Sequence, residues 1–346
     1  MTEPPSIGAG YPAFLAVFHL PGVELADPVM QVAGLWLQRI SWRDWIMIEH
    51  KEDAFRLYGE FHKAEHVFFS VNLTEEEVAG HTAEYVQSVC ERELLVLVAA
   101  MRIHKAGQAI DPRLSTRYLR VKELNSRRPG PYGPRLLEFP AEPRYRIEAD
   151  DLTDISFLHL RLEHLFAASD PGVMLALRSF GFSYGYGLSG AQKLAFLFSA
   201  LEAVFGEYRK QNRPTPRVTL GTAAALVSRE PNQAVVAAFL DSPSGARGLR
   251  NQVAHGDVNV TPEVDDPLIL RLDGIIRDGL RTLVVFATEQ VALAPQLDGI
   301  ETGLGNAPPK LAFQKLLGHA AKGSPAALSI ITSLPKLFPS ETGAAA

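Results

Sequence analysis

Hydrophobic and polar residues alternate along several short runs in the first part of the chain. The runs cover Trp42–Glu49, Phe55–His62 and Val67–Leu73, and short polar segments separate them. A period of two places alternate side chains on opposite faces of a strand, and short connections favour antiparallel neighbours. The pattern predicts an antiparallel meander over about 42–73, and Phe14–Leu20 is the candidate for a fourth strand.

A helix start follows the last of these runs. Thr74 can accept a hydrogen bond from the first turn, while Glu77 reaches back to the backbone of Thr74, as in a capping box. The helix is predicted to run to about Arg102, punctuated by Gly80. The Pro/Arg/Gly-rich segment Arg127–Pro143 then resists regular structure and is typical of a linker or long loop.

From about residue 150 onward the hydrophobic period becomes helical. Apolar residues recur every three or four positions, as on one side of an amphipathic helix. The stripe predicted to face the core in the helix after Ser189 consists of Leu194, Leu197, Phe198, Leu201 and Phe205. The predicted helices are Asp151–Ala168, Pro171–Phe180, Ala191–Tyr208 with Ser189 as its cap, Thr219–Arg229, Asn232–Leu240, Ala246–His255 and Pro267–Ala292. Short connections between such helices favour an antiparallel bundle.

The patterns together predict an α+β chain with three parts. Residues 1–150 form an N-terminal domain with an antiparallel sheet, a helix and the basic Pro/Arg-rich linker. Residues 151–295 form an all-α bundle, and residues 296–346 form an extension with short helices and a flexible tail. A chain of 346 residues is long enough for two domains.

The composition is that of a globular protein, with 47% hydrophobic and 21% charged residues. No signal-peptide pattern is found at the N-terminus, and no apolar run approaches the roughly 18 residues of a membrane span. The single cysteine, Cys90, excludes an internal disulfide, and its helical context indicates a buried, inert thiol. We therefore expect a cytoplasmic protein that does not enter a membrane.

Positive charge is concentrated in an otherwise acidic chain. The formal net charge is −5, yet residues 101–146 carry a local charge of +7, and a second basic cluster follows the helix that ends near residue 208. Lysine and arginine that neutralise phosphates dominate nucleic-acid affinity. Solvated loops are the alternative interpretation. The residues expected to contact a nucleic-acid backbone are Arg127, Arg128, Arg209, Lys210 and Arg213.

The most informative polar pattern is the stretch from Gly248 to Gly256. It places Arg250, Asn251 and His255 on the last turns of a predicted helix, with glycine after it. Asn251 and His255 are four residues apart and share one side of that helix. Arginine can hold a phosphate with two donors, and histidine can transfer a proton near neutral pH. Together these residue types suit phosphodiester cleavage.

This Arg-Asn-x-x-x-His pattern resembles the signature of the HEPN superfamily (higher eukaryotes and prokaryotes nucleotide-binding), which includes metal-independent ribonucleases. Within that superfamily the chain is most similar to the ApeA-type branch. There an Ala-Leu-Glu helix, here Ala200–Glu202, precedes the Arg-Asn-x-x-x-His-Gly helix by about 50 residues. The resemblance covers roughly residues 170–292.

The resemblance implies a HEPN-type bundle that acts as an endoribonuclease without a cofactor. Arg250 would bind the phosphate, His255 would act as base or acid, and Asn251 would orient either group. Glu202 is the expected partner of Arg250, with an exposed glutamate as the alternative. The resemblance also implies a homodimer with facing motifs, RNA as substrate, a toxin or antiviral defence role, and a neutralising or regulatory protein partner.

Two other functions compete with this interpretation. Because function depends on the site rather than the fold, the bundle can be a catalytically inactive HEPN module that binds nucleic acid, nucleotide or protein. His62 and His66 also match the H-x-x-E-H spelling of inverted zinc peptidases, which need both histidines on one helix. The strand pattern places these histidines at the two ends of a hairpin turn, so we expect no zinc site there.

Overall fold

All strands of the described ranges lie before residue 148, and the regular structure after it is helical. The computed structural model describes residues 14–20, 22–41, 65–107, 116–120, 145–168, 170–185, 188–206, 223, 226, 233–241, 245–255 and 266–339. Its contacts divide into two units, Met1–Val98 with Gly107–Ser156 and Ala99–Ala106 with Phe157–Ala346. Within the described ranges every strand belongs to the first unit, and the regular structure of the second unit is helical. The predicted α+β class is confirmed at this level.

The first unit contains a five-stranded antiparallel sheet. The strands of the unit are β1 (Phe14–His19), β2 (Val23–Leu25), β3 (Val29–Val32), β4 (Leu35–Ser41), β5 (Glu65–Leu73), β6 (Thr116–Arg120) and β7 (Tyr145–Ile147). The order in the sheet is β3-β4-β5-β1-β6. Val67 and Val71 of the central strand β5 lie on one face because they are four residues apart, and both are buried.

The predicted meander is confirmed only in its last strand. β5 includes the predicted strand Val67–Leu73, and β1 confirms the strand predicted at Phe14–Leu20. The predicted strands Trp42–Glu49 and Phe55–His62 lie outside the described residues. The β3–β4 hairpin was not predicted, because its turn is Ala33-Gly34 rather than an Asn-Gly or Asp-Gly pair. Both turn residues have positive φ, 48° and 84°.

β2 and β7 form a separate parallel pair. Tyr145 of β7 is fully buried, and its ring lies close to Gly107. A Cβ at Gly107 would lie 2.9 Å from Cδ2 of Tyr145, and φ at this glycine is 147°. Both the contact and the backbone conformation therefore require glycine at this position.

The capping box is confirmed, and the helix predicted with a break at Gly80 forms two separate helices. Thr74 Oγ1 accepts from the Glu77 backbone N–H at 3.3 Å, and Glu77 Oε2 accepts from the Thr74 backbone N–H at 2.7 Å. They start a short helix, α1 (Glu75–Val78), and a new helix, α2 (Ala83–His104), follows. Gly80 separates the two because its φ of 76° is left-handed, which interrupts the α-helical backbone.

Helices account for the regular structure after β7. They are α3 (Asp151–Ala168), α4 (Pro171–Phe182), α5 (Gly190–Phe205), α6 (Gln233–Asp241), α7 (Ala246–His255), α8 (Asp266–Ile300), α9 (Pro309–Ala321) and α10 (Pro325–Ser333), followed by a 3₁₀ turn at Leu334–Leu337. The bounds predicted for α3 and α7 are confirmed. Ala223 and Leu226, the described residues of the helix predicted at Thr219–Arg229, are helical.

α5 lies at the centre of the second unit and packs against α4, α7 and α8. Its predicted apolar stripe is buried throughout, with Leu194, Leu197, Phe198, Leu201 and Phe205 each at most 3% exposed. Ser189 caps the helix and forms a capping box with Gln192. α8 approaches closely at Gly279, where a Cβ would lie 2.3 Å from Cζ of Phe205.

α8 is longer than the predicted helix Pro267–Ala292. It continues to Ile300 and has Pro295 inside it. The segment after it folds back, because Gln290 Nε2 donates to the carbonyl oxygens of Gly305 at 3.1 Å and Ala307 at 2.7 Å. Among the helices of the described ranges, none combines the length and apolar character needed to cross a membrane.

Candidate functional site

The Arg-Asn-x-x-x-His motif lies on α7, which ends at His255. The preceding glycine, Gly245, accepts the backbone hydrogen bond of Leu249 at 3.1 Å and so closes the first turn. Because Asn251 and His255 are four residues apart in one continuous helix, their backbone positions lie on the same side. Arg250 is adjacent to Asn251 and four residues from the start of the helix.

α7 packs against α5 and α6, and Arg250 is half-buried there. Its guanidinium carbon Cζ lies 5.8 Å from the ring centroid of Phe198 on α5, within the range of a cation–π contact. Its Nη1 donates to the side-chain Oδ1 of Asn251 at 3.3 Å. Asn251 therefore orients the guanidinium, and the amide nitrogen of the same side chain is a donor in its own right.

Glu202 does not pair with Arg250. Among the described residues, the guanidinium contacts the Asn251 amide and the Phe198 ring but no carboxylate. Glu202 lies four residues after Phe198 on α5 and is exposed, although Leu201 and Ala203 beside it are buried. Water solvates an exposed carboxylate, so Glu202 needs no ion pair to compensate for lost hydration. The structure therefore shows the alternative, an exposed Glu202, and no ion pair between Glu202 and Arg250.

The basic residues predicted to bind RNA lie outside the described residues. This holds for Arg127 and Arg128 of the Pro/Arg-rich segment and for Arg209, Lys210 and Arg213 after α5. Their contribution to RNA binding stays a prediction from charge and spacing.

The zinc-peptidase alternative fails on secondary structure. His66 lies in strand β5, whereas the H-x-x-E-H arrangement needs both histidines one turn apart on a single helix. His62 lies outside the described residues. Across the described part of the chain, no group of three or more His, Cys, Asp and Glu side chains is placed to hold a metal ion.

Cys90 is buried in α2, as predicted. Burial raises the pKa of its thiol to about 12, and the nearby carboxylates of Glu93 and Glu91 act in the same direction. The thiolate is the nucleophilic form of cysteine, and it is not populated near neutral pH at such a pKa. Cys90 is therefore not a nucleophile.

A buried polar cluster that the sequence pattern did not reveal lies elsewhere in the second unit. Asp273 and Arg277 form an ion pair on α8, and the phenol of Tyr184 donates to Asp273 Oδ1 at 2.7 Å. Arg277 Nη2 donates to the Tyr184 oxygen at 3.2 Å, and its Nε donates to the backbone oxygen of Arg102 at 3.0 Å. Burial raises the pKa of Tyr184, although Arg277 and Arg102 oppose that change.

This cluster of Arg102, Tyr184, Asp273 and Arg277 contains a buried ion pair. Asp273 and Arg277 are less than a tenth exposed, and each finds its opposite charge within the cluster. The hydrogen bonds of this network link α8 to the end of α2 and to the turn that follows α4. Arg250 on α7 differs from Arg277, because no carboxylate among the described residues pairs with it.

In comparisons with known proteins, no family model matches the sequence, and no curated protein or solved structure matches the chain. The HEPN resemblance of the Arg250–His255 motif stays a prediction from that motif.

Proposed function

We propose that this chain is a metal-independent endoribonuclease of HEPN type, with its site on α7. Arg250 binds the scissile phosphate, Asn251 holds the guanidinium of Arg250, and His255 transfers protons. The resemblance of the motif to ribonucleases extends the proposal to a toxin or antiviral defence effector that cleaves RNA.

The observation that carries the proposal is the environment of Arg250. The guanidinium is half-buried over an aromatic ring, and the described residues give it no carboxylate. Partial burial removes part of its hydration, so an incoming anion gains more from pairing with this cation than with one in bulk water. Arginine is always charged at physiological pH, and its planar fork matches two oxygens of a phosphate.

The reaction that these groups support is attack by the 2′-hydroxyl of RNA on the adjacent phosphorus. A base removes the 2′-hydroxyl proton as the new O–P bond forms, and an acid protonates the 5′-oxygen as its bond to phosphorus breaks. The products are a 2′,3′-cyclic phosphate and a 5′-hydroxyl end. Arg250 would stabilise the charge that grows on the non-bridging oxygens, and His255 suits either proton transfer.

A homodimer would supply both transfers at once. One chain offers a single motif histidine, whereas in-line cleavage uses a base and an acid. A two-fold axis brings the same surface of both subunits together, so two copies of α7 would provide two imidazoles and two guanidiniums around one phosphate.

The test is incubation of the purified protein with total RNA in excess EDTA. Cleavage that persists under chelation and leaves cyclic phosphate ends supports the proposal. RNA that stays intact but binds tightly identifies an inactive binding module, and cleavage that stops on chelation contradicts the metal-independent mechanism.

A further inference from the structure

Phe198 fills the core of the second unit and also lies beside Arg250. We infer that it is a positioning residue, whose ring holds the guanidinium of Arg250 where the scissile phosphate binds. The inference rests on the proposed function, since it assigns a phosphate to Arg250. It is carried by the 5.8 Å separation between Cζ of Arg250 and the ring centroid of Phe198.

The ring contact and the Asn251 hydrogen bond restrict a side chain that is otherwise flexible. An arginine has many rotamers, and a ligand that must select one of them binds more weakly. The ring contact uses none of the five N–H donors of the guanidinium, and the bond to Asn251 uses one. Donors for two phosphate oxygens are therefore left while the position of the cation is fixed.

The ring itself is held firmly. Phe198 is 1% exposed and belongs to the buried stripe of α5. The same helix is fixed against α8 by the close approach of Gly279 to Phe205. A group on such a rigid element sets the geometry of a site more closely than a loop residue does.

The first experiment reads the position of Arg250 in the free protein. The variant is Phe198→Leu, and the matched control is Phe205→Leu, the same change at a buried position of the same helix that faces Gly279 instead of Arg250. The readout is the NMR signal of the Arg250 Nε–Hε group, assigned by its loss in Arg250→Gln. We expect Phe198→Leu to move this signal to the position of a free arginine and Phe205→Leu to leave it unchanged.

The second experiment measures affinity for a single-stranded 2′-O-methyl oligoribonucleotide, which binds but lacks the attacking hydroxyl. Phe198→Leu should weaken binding about fivefold, the size of a partly exposed cation–π contact. The same change in an Arg250→Gln background should have no further effect, because the ring acts through Arg250. If Phe198→Leu does not fold, Phe198→Met replaces it, since methionine fills the same space with a flexible apolar chain.

The outcomes separate the inference from the proposed function. Equal losses from Phe198→Leu with and without Arg250, or an unchanged Nε–Hε signal in Phe198→Leu, overturn the positioning role even if the protein cleaves RNA. A wild-type protein that neither binds nor cleaves RNA overturns the proposed function and the phosphate assignment with it. In that case an altered Nε–Hε signal in Phe198→Leu still shows that the ring positions the guanidinium.

Discussion

Arg250 on α7 and Arg277 on α8 are both withdrawn from solvent, but their surroundings differ. Arg277 is 9% exposed and pairs with Asp273, Tyr184 and the backbone of Arg102. Arg250 is half-buried over the Phe198 ring, and the described residues supply it with one amide oxygen and no carboxylate. Removing the counter-charge of a buried cation destabilises the fold, whereas a cation without a counter-charge is available to an anionic ligand. The contrast predicts that changes at α7 affect function and changes at the cluster affect stability.

The largest expected effect is on catalysis at α7. His255→Ala should lower the rate of RNA cleavage about 10²–10⁴-fold, because proton transfer by a positioned side chain contributes that much. The measurement is the initial cleavage rate in EDTA. His164→Ala is the matched control, since His164 is exposed on α3 and outside the motif. A His255→Ala variant that cleaves RNA at the wild-type rate would contradict the proposed mechanism.

The next largest effect is on stability at the cluster. Asp273→Ala should lower the free energy of unfolding by about 3–5 kcal/mol, because it leaves the buried Arg277 guanidinium without its counter-charge. Chemical denaturation measures the change. Asp150→Ala, at an exposed turn, is the matched control and should change stability by less than about 0.5 kcal/mol. If Asp273→Ala also lowers the free energy of unfolding by less than about 0.5 kcal/mol, the ion pair does not stabilise the fold.

Tyr184→Phe should have a smaller effect, about 1–2 kcal/mol, because it removes one hydrogen-bonding hydroxyl from a network that keeps its ion pair. The pH dependence gives a second readout. Burial raises the pKa of Tyr184 above the ordinary 10.0, so the unfolded state ionises first. Stability is then fully present below pH 10 and is lost as the pH rises through the raised pKa. The wild-type protein should lose stability in this alkaline range, and Tyr184→Phe should lack the part of that loss that comes from Tyr184. Identical profiles of stability against pH in the two proteins would contradict this prediction.

The smallest expected effect completes the contrast. Arg250→Gln should change the free energy of unfolding by less than about 1 kcal/mol, since the variant loses a partly exposed cation–π contact and one hydrogen bond but leaves no buried carboxylate unpaired. Thermal or chemical denaturation measures this change. A loss as large as that of Asp273→Ala would show that Arg250 is a structural cation, and the distinction between the two arginines would fail.

Local signals predicted much of the helical structure. The bounds of α3 and α7 follow from apolar periodicity and from residues at the helix ends, and the Thr74–Glu77 box marks the start of α1. Each of these signals lies within a few residues of the element that it specifies. For the same reason the position of the motif on a helix ending at His255 could be predicted from the sequence.

The missed features depend on residues far apart in the chain. β2 pairs with β7 more than a hundred residues away, and Arg277 reaches the backbone of Arg102 from α8. Asp273 and Arg277 are visible as neighbours on one helix, but their spacing does not reveal that they are buried. Phe198 was predicted as a core residue, yet its contact with Arg250 depends on how α5 packs against α7, which apolar periodicity does not specify.

The close packing at Gly279 affects how natural variation in this protein should be interpreted. A Cβ there would lie 2.3 Å from Cζ of the buried Phe205 ring, so α8 and this ring could no longer pack as closely as they do. Selection for this packing would therefore retain glycine at a position that has no chemical group to contribute. Invariance at Gly279 among descendants of a common ancestor would record the spacing between two helices, and counting it as a substrate contact would be a mistake.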